Sequence, residues 1–208
     1  PRLTSMKIVE KIKRTNWITS VNLGIRGATL IGKFLLVYFL ADQLTVEQNG
    51  VWGIFTTSIA LSLYVVGLDF YTYSTRRILD FKVEDRSPML RDQLVFYFIS
   101  YLVLFPILGL LFVFNVIEAK FAIFFYAILM FEHLSQEAYR TFVVFSKPII
   151  ANIVLFLRTG SWAYLLLILW TSGVDELKSL KWIYLFWMSG GIASISVSLY
   201  FLAQFKFK

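Results

Sequence analysis

The sequence predicts an all-α fold, a polytopic membrane helix bundle with six transmembrane helices. Three observations predict it. Of the 208 residues, 58% are hydrophobic and only 16% are charged, against about 45–50% and about 25% in an ordinary soluble domain. A soluble surface has no room for so much apolar side chain, and disorder requires the opposite composition. The apolar residues gather in six runs of 23–25 residues, each long enough to cross a hydrocarbon core as a helix. These runs lack the period-2 alternation of barrel strands, which leaves the helix as the structure that satisfies its own backbone in lipid.

The spans follow in order. Residues 1–16 form a basic segment ahead of the first run, Trp17–Ala41. That run carries Arg26 and Lys33 and has no small-residue cleavage motif after it, so it reads as a span and not as a signal peptide. The second run is Gly50–Tyr73, reached through the short acidic stretch 42–49. A linker over 74–93 holds Arg76, Arg77, Lys82, Arg86 and Arg91. The third run is Leu94–Ile117, with Pro106 placed to kink it. A tight turn at 118–120 leads to the fourth, Phe121–Phe145. Ser146-Lys147-Pro148 leads to the fifth, Ile149–Thr171, with Pro148 suited to a helix start. Residues 172–181 then lead to the sixth, Trp182–Phe205. Residues 206–208 read as a truncated C-terminus. Trp17, Trp52, Trp170 and Trp182 lie near span ends, where interfacial anchors belong.

The net charge of +7 reads as membrane orientation and not as nucleic-acid binding. With the N-terminus in the cytoplasm, that side holds 14 Lys and Arg residues and the other side holds 3. The positive-inside rule therefore sets both termini in the cytoplasm. With no cysteine, disulfides, thiolate metal sites and cysteine nucleophiles are excluded.

Only 7 of the 33 charged residues fall inside the spans. A charge at the bilayer centre costs about 2.5–3.5 kcal/mol on insertion scales, so each needs a reason. In the first span Asn22, Arg26, Thr29 and Lys33 share one helix face. Gly24, Ala28 and Gly32 make a small-residue row on another face, suited to close packing. In the fourth span Glu132, Gln136 and Arg140 follow i, i+4, i+8, and His133, Glu137 and Arg140 follow i, i+4, i+7. All five are expected on one face. Arg158 lies near the centre of the fifth span and Asp69 near the cytoplasmic end of the second. The third and sixth spans carry no charge, and Gly190, Ser194 and Ser198 read as a packing seam in the sixth.

Arg26, Lys33, Arg140 and Arg158 outnumber Glu132 and Glu137. The spacing thus predicts a cationic cavity for an anionic substrate such as a phosphate or diphosphate. Snorkelling of Lys33 toward the outer end accounts for that residue equally well. Glu132, His133, Glu137 and Asp69 are candidates for ion coupling, because intramembrane carboxylates and histidines serve as relays. Packing alone accounts equally well for the histidine. No metal or cofactor is expected, and there is no DxD, no HExxH and no second histidine for an enzyme centre.

Two stretches carry a resemblance. One is Glu47-Gln48-Asn49-Gly50-Val51-Trp52-Gly53, with Gly67-Leu68-Asp69 and Arg76-Arg77 after it. The other runs from Glu132-His133-Leu134-Ser135-Gln136-Glu137-Ala138-Tyr139-Arg140 through Lys147-Pro148 to Leu157-Arg158-Thr159-Gly160-Ser161-Trp162. Over residues 15–205 the chain resembles bacterial polysaccharide (O-antigen) flippases of the multidrug/oligosaccharidyl-lipid/polysaccharide transporter superfamily. The resemblance implies one lobe of a two-lobed transporter in the bacterial inner membrane. It implies translocation of undecaprenyl-diphosphate-linked oligosaccharide by alternating access, coupled to an ion gradient. Six helices match the N-terminal lobe only. The implied partners are membrane lipids, the lipid-linked oligosaccharide, a second six-helix lobe on the same or a separate chain, and polysaccharide polymerase or assembly proteins. The alternatives are a drug or cation antiporter of the same superfamily, a membrane enzyme acting on lipid-linked sugars, and a structural subunit.

Overall fold

A computed structural model of the chain describes residues 2–68, 70–80 and 86–204, with side chains over 16–68, 70–76, 88–174 and 176–204. All regular structure among them is helical. Five helical segments are long and apolar enough to cross a membrane: Asn16–Gln43, Val46–Gly67, Pro88–Val113, Pro148–Thr171 and Leu180–Gln204. The protein is a membrane protein with transmembrane helices.

Helix α1 (Arg2–Gln43) runs through the first expected span, and α2 (Val46–Gly67) follows after a two-residue turn. Thr45 accepts from the Gln48 backbone N–H at 3.2 Å while the Gln48 side chain accepts from Thr45 N–H at 3.1 Å. This reciprocal cap satisfies two donors that a helix start otherwise strands. The Asn49 amide adds bonds to the Leu40 and Leu44 carbonyls and clamps the end of α1 to the start of α2.

The second expected span, Gly50–Tyr73, is broken. Helix α2 ends at Leu68, which adopts the left-handed conformation at φ 41°, and α3 is a separate helix over Phe70–Asp80. The expected linker 74–93 is largely helical as well: α3 occupies its first part, and α4 (Arg86–Leu108) starts eight residues before Leu94. Pro106 lies inside α4 two residues before its end, and α5 (Leu110–Val113) carries the third span to Val113.

Helix α6 (Ala122–Val144) coincides with the fourth expected span. It is 23 residues long, but Glu132, His133, Gln136, Glu137 and Arg140 make it too polar to rank with the five apolar helices. The reason is its place in the bundle. It packs against α2, α7 (Pro148–Phe156) and α9 (Leu180–Gln204), and buries Phe125, Ile128, Leu129, Glu132, His133, Ser135, Glu137 and Phe142. A helix surrounded by other helices needs no apolar face for lipid.

The fifth span is continuous but irregular. Helix α7 passes through a π-helical turn, Leu157–Ser161, into α8 (Trp162–Thr171). Such turns are rare and displace side chains from the regular helical register. Pro148 occupies the first turn of α7, after Ser146 in the left-handed region.

The core is an aromatic stack at one end of the bundle. Phe55 lies on Tyr184 at 4.1 Å between ring centroids, and Trp162 stacks on Trp187 at 5.8 Å. Trp52, expected as an interfacial anchor, packs on Tyr184 and Trp187. Trp170 is buried and donates to the Leu177 carbonyl. Both are packing residues, whereas Trp17 and Trp182 are exposed.

In the Gly190–Ser194–Ser198 row, Gly190 and Ser194 face the fifth span, while Ser198 donates to the Ser194 carbonyl of its own helix. Ser194 donates to the Val154 carbonyl at 3.1 Å, and a Cβ on Gly190 would lie 2.8 Å from the Leu157 carbonyl oxygen. The row on α1 is split. Ala28 and Gly32 receive Tyr164 of α8, whose hydroxyl donates to the Ala28 carbonyl, while Gly24 meets nothing within 4 Å.

Candidate functional site

The charged face of α6 divides, contrary to the single face expected for its five polar residues. Neighbouring residues on a helix diverge by about 100°, so Glu132 and His133 enter different surroundings. Glu132 and Gln136 turn toward the fifth and sixth spans. His133 and Glu137 turn toward α4.

On the first side, Glu132 Oε1 accepts from Trp187 Nε1 at 2.7 Å, and Oε2 lies 3.5 Å from Arg158 Nε. Arg158 sits in the π-helical turn. Its Nη1 donates to the Glu132 carbonyl at 3.3 Å and to Gln136 Oε1 at 3.4 Å, and its Nε makes no hydrogen bond. These contacts are long against the usual 2.9–3.0 Å. Arg158 is paired but loosely held.

On the second side, Glu137 is fully engaged. Oε2 accepts from Tyr97 Oη at 2.5 Å and from Gln93 Nε2 at 2.8 Å, and Oε1 accepts from Arg140 Nη1 at 2.6 Å. Arg140 also lies over the Tyr71 ring of α3, 4.4 Å from its centroid. His133 Nδ1 meets the Tyr101 hydroxyl at 2.7 Å, and the Tyr97 ring packs edge-on against the imidazole. Gln93, Tyr97 and Tyr101 recur every four residues and present one stripe of α4 to Glu137 and His133. The expected third span carries no charge and Gln93 falls in the expected linker, so the stripe is not singled out in the sequence. The i, i+4, i+8 spacing of one amide and two phenols was the signal.

The two remaining cations are on α1. Arg26 is exposed; its Nε donates to Asn152 Oδ1 at 3.0 Å and its Nη2 to the Tyr139 hydroxyl at 3.3 Å, while Asn152 donates to Asn22 at 2.7 Å. Lys33 is exposed on the same stripe of α1, within electrostatic reach of Glu132. Neither has a carboxylate within ion-pair distance among the described residues. Thr29, between them, is buried and bonds its own helix at the Ile25 carbonyl. Arg140 and Arg158 are therefore neutralised in part by Glu137 and Glu132, and the uncompensated charge is on Arg26 and Lys33. Asp69 lies outside the described residues.

Among the described residues, clefts open beside these groups and at one end of the bundle. One of about 610 Å³ lies between α2 and α6, lined by Ala60, Leu63, Tyr64, Gly67, His133, Gln136 and Arg140. A second, of about 360 Å³ and mostly apolar, lies between α4, α6 and α9. A third, of about 560 Å³, lies at one end of the bundle, where Glu47, Glu118, Lys120 and Lys181 meet. Among the described residues no three His, Asp or Glu side chains are grouped so as to hold a metal ion. The arrangement can bind an anion through guanidinium and ammonium groups on α1 and α6.

No family model matches the chain, and neither a curated protein nor a solved structure matches it.

Proposed function

We propose that this chain is a lobe of a flippase that carries a lipid-linked oligosaccharide across the bacterial inner membrane by its diphosphate. The observation that carries the reading is the pair Arg26 and Lys33, two exposed intramembrane cations on one stripe of α1 with no carboxylate partner among the described residues. Two such charges together cost about 5–7 kcal/mol of insertion free energy. Twelve Leu, Ile, Val and Phe residues in Trp17–Ala41 offset this by roughly 0.3–0.6 kcal/mol each. A helix so poorly balanced is suited to a wet groove and an anionic ligand, and a diphosphate meets both requirements.

The proposal counts α6 as a span beside the five apolar ones, which makes six. Its 23 residues reach about 35 Å at 1.5 Å per residue, enough to cross. Its polar side chains are covered by neighbouring helices. The 14-to-3 distribution of basic residues supports cytoplasmic termini. A second lobe, on the same or another chain, would complete the cavity and permit alternating access.

The test is ligand binding by the full chain in lipid nanodiscs. Farnesyl diphosphate serves as the anionic probe and tetraphenylphosphonium as the cationic one. The Arg26→Gln/Lys33→Gln pair is expected to weaken diphosphate binding by at least about tenfold, since each charged hydrogen bond lost is worth about 1.5–3 kcal/mol. Preference for the cation would favour the antiporter alternative instead.

A further inference from the structure

We propose that the α6 wall of the α2–α6 cleft is a donor-only surface, in which Arg140, Gln136 and His133 together recognise the oxygens of a phosphate or diphosphate. This rests on the anionic-substrate reading and adds a second site to it, distinct from the α1 cations. The argument follows the acceptors. Both carboxylates on this part of α6 are engaged inside the protein. Both Glu137 oxygens are taken by Gln93, Tyr97 and Arg140, and the Glu132 carboxylate faces Trp187 and Arg158.

Gln136 faces Arg158 at 3.4 Å. A guanidinium only donates, so the Gln136 atom turned to it is the carbonyl oxygen, and the NH₂ group is left for the cleft. His133 is settled by the same accounting. When the Tyr101 hydroxyl donates to Nδ1, the single ring proton is on Nε2. The reverse arrangement would strand both the phenol hydrogen and the Nε2 lone pair. Nε2 is buried and has no partner among the described residues. It points at Gly67 on the opposite wall, where a Cβ would lie 3.5 Å from it.

Among the described residues the α2 wall adds Ala60, Leu63 and the phenol of Tyr64, and no carboxylate. The wall therefore offers a guanidinium, an amide NH₂ and an imidazole N–H, with no acceptor exposed among them. An oxygen-rich anion fits that set and a cation does not. Nε2 is sheltered by Gly67, so ligand reaches it as α2 moves aside.

His133 is the only histidine in the chain, so ¹⁵N-histidine labelling of the full chain in nanodiscs gives one set of ring signals. The free protein is expected to show the Nε2–H tautomer. Farnesyl diphosphate is expected to shift Nε2 strongly and Nδ1 little, and tetraphenylphosphonium neither. Inorganic pyrophosphate separates the sources. Competition by it marks a site open to water, and a response to farnesyl diphosphate alone marks a headgroup delivered from the bilayer; both support the proposal. Gly67→Ala fills the space beside Nε2 at ordinary contact distance and retains the fold, and Gln136→Glu replaces a donor by an acceptor. Each is expected to weaken diphosphate binding about tenfold. An Nδ1–H tautomer, a larger response to the cation, or unchanged affinity in both variants overturns the proposal. Diphosphate binding that depends on Arg26 and Lys33 but leaves the His133 signals unmoved overturns this site and spares the α1 reading. Absence of diphosphate binding overturns both.

Discussion

Glu137 is buried at 8% side-chain exposure and receives three donors, from α4 and from its own helix. Its charge is what makes Gln93, Tyr97 and Arg140 compatible in one place. Glu137→Gln removes the charge and turns an NH₂ group either toward Arg140 or toward Gln93 and Tyr97. This should destabilise the protein by about 2–4 kcal/mol, because a buried pair loses one partner and the other is left uncompensated. Reversible unfolding in detergent measures it; an unchanged midpoint would show that these bonds contribute nothing. Tyr184 gives the opposite sign. Its hydroxyl is buried with no hydrogen-bond partner while its ring stacks on Phe55. Tyr184→Phe keeps the stack and removes a stranded polar group, so it should stabilise by about 1 kcal/mol in the same assay. The i, i+3 spacing of Glu137 and Arg140 made their pairing readable in the sequence. The Glu132–Trp187 bond was not readable, since 55 residues separate the partners and nothing local links them.

At the level of elements, the apolar runs were legible because hydrocarbon thickness sets their length. The interruptions were not. Leu68 carries no turn signal, yet it ends α2, and the five residues of the π-helical turn look like ordinary helix. Charge density made residues 74–93 look like a connecting loop, although most of that stretch folds into α3 and α4. Tryptophan at a span end serves both anchoring and packing, and the packing of Trp52 and Trp170 was not legible from their position alone. The glycines separate by what surrounds them. Gly190→Ala would bring a Cβ to 2.6 Å from Trp162 and 2.8 Å from the Leu157 carbonyl oxygen. That carbonyl belongs to the backbone of the π-helical turn and cannot step aside, so a loss of about 1–3 kcal/mol is expected. Gly24→Ala meets nothing within 4 Å and should be neutral or gain up to about 1 kcal/mol from helix propensity. Equal melting temperatures for the two variants would contradict the α9 seam.

For the whole molecule, charge has two destinations. Arg140 and Arg158 are tied to α6 by carboxylates, while Arg26 and Lys33 are held by neutral groups or by none among the described residues. The sequence could count the excess of cations in the spans. It could not say which cations carried it, because that depends on α6 dividing its polar residues between two sides. The central claim is that the Arg26–Lys33 stripe of α1 opens to water within the membrane. Since the chain has no cysteine, single cysteines can test this directly with a charged, water-borne thiol reagent applied to the protein in nanodiscs. Thiols react as thiolates, which hydrocarbon suppresses. Cysteines at 26 and 33 are expected to react at least about tenfold faster than cysteines at 31 and 35, on the opposite face of the same helix. Protection at 26 and 33 equal to that at 31 and 35 would mean that α1 turns its charges to lipid or into packed protein, and the anion groove would not exist.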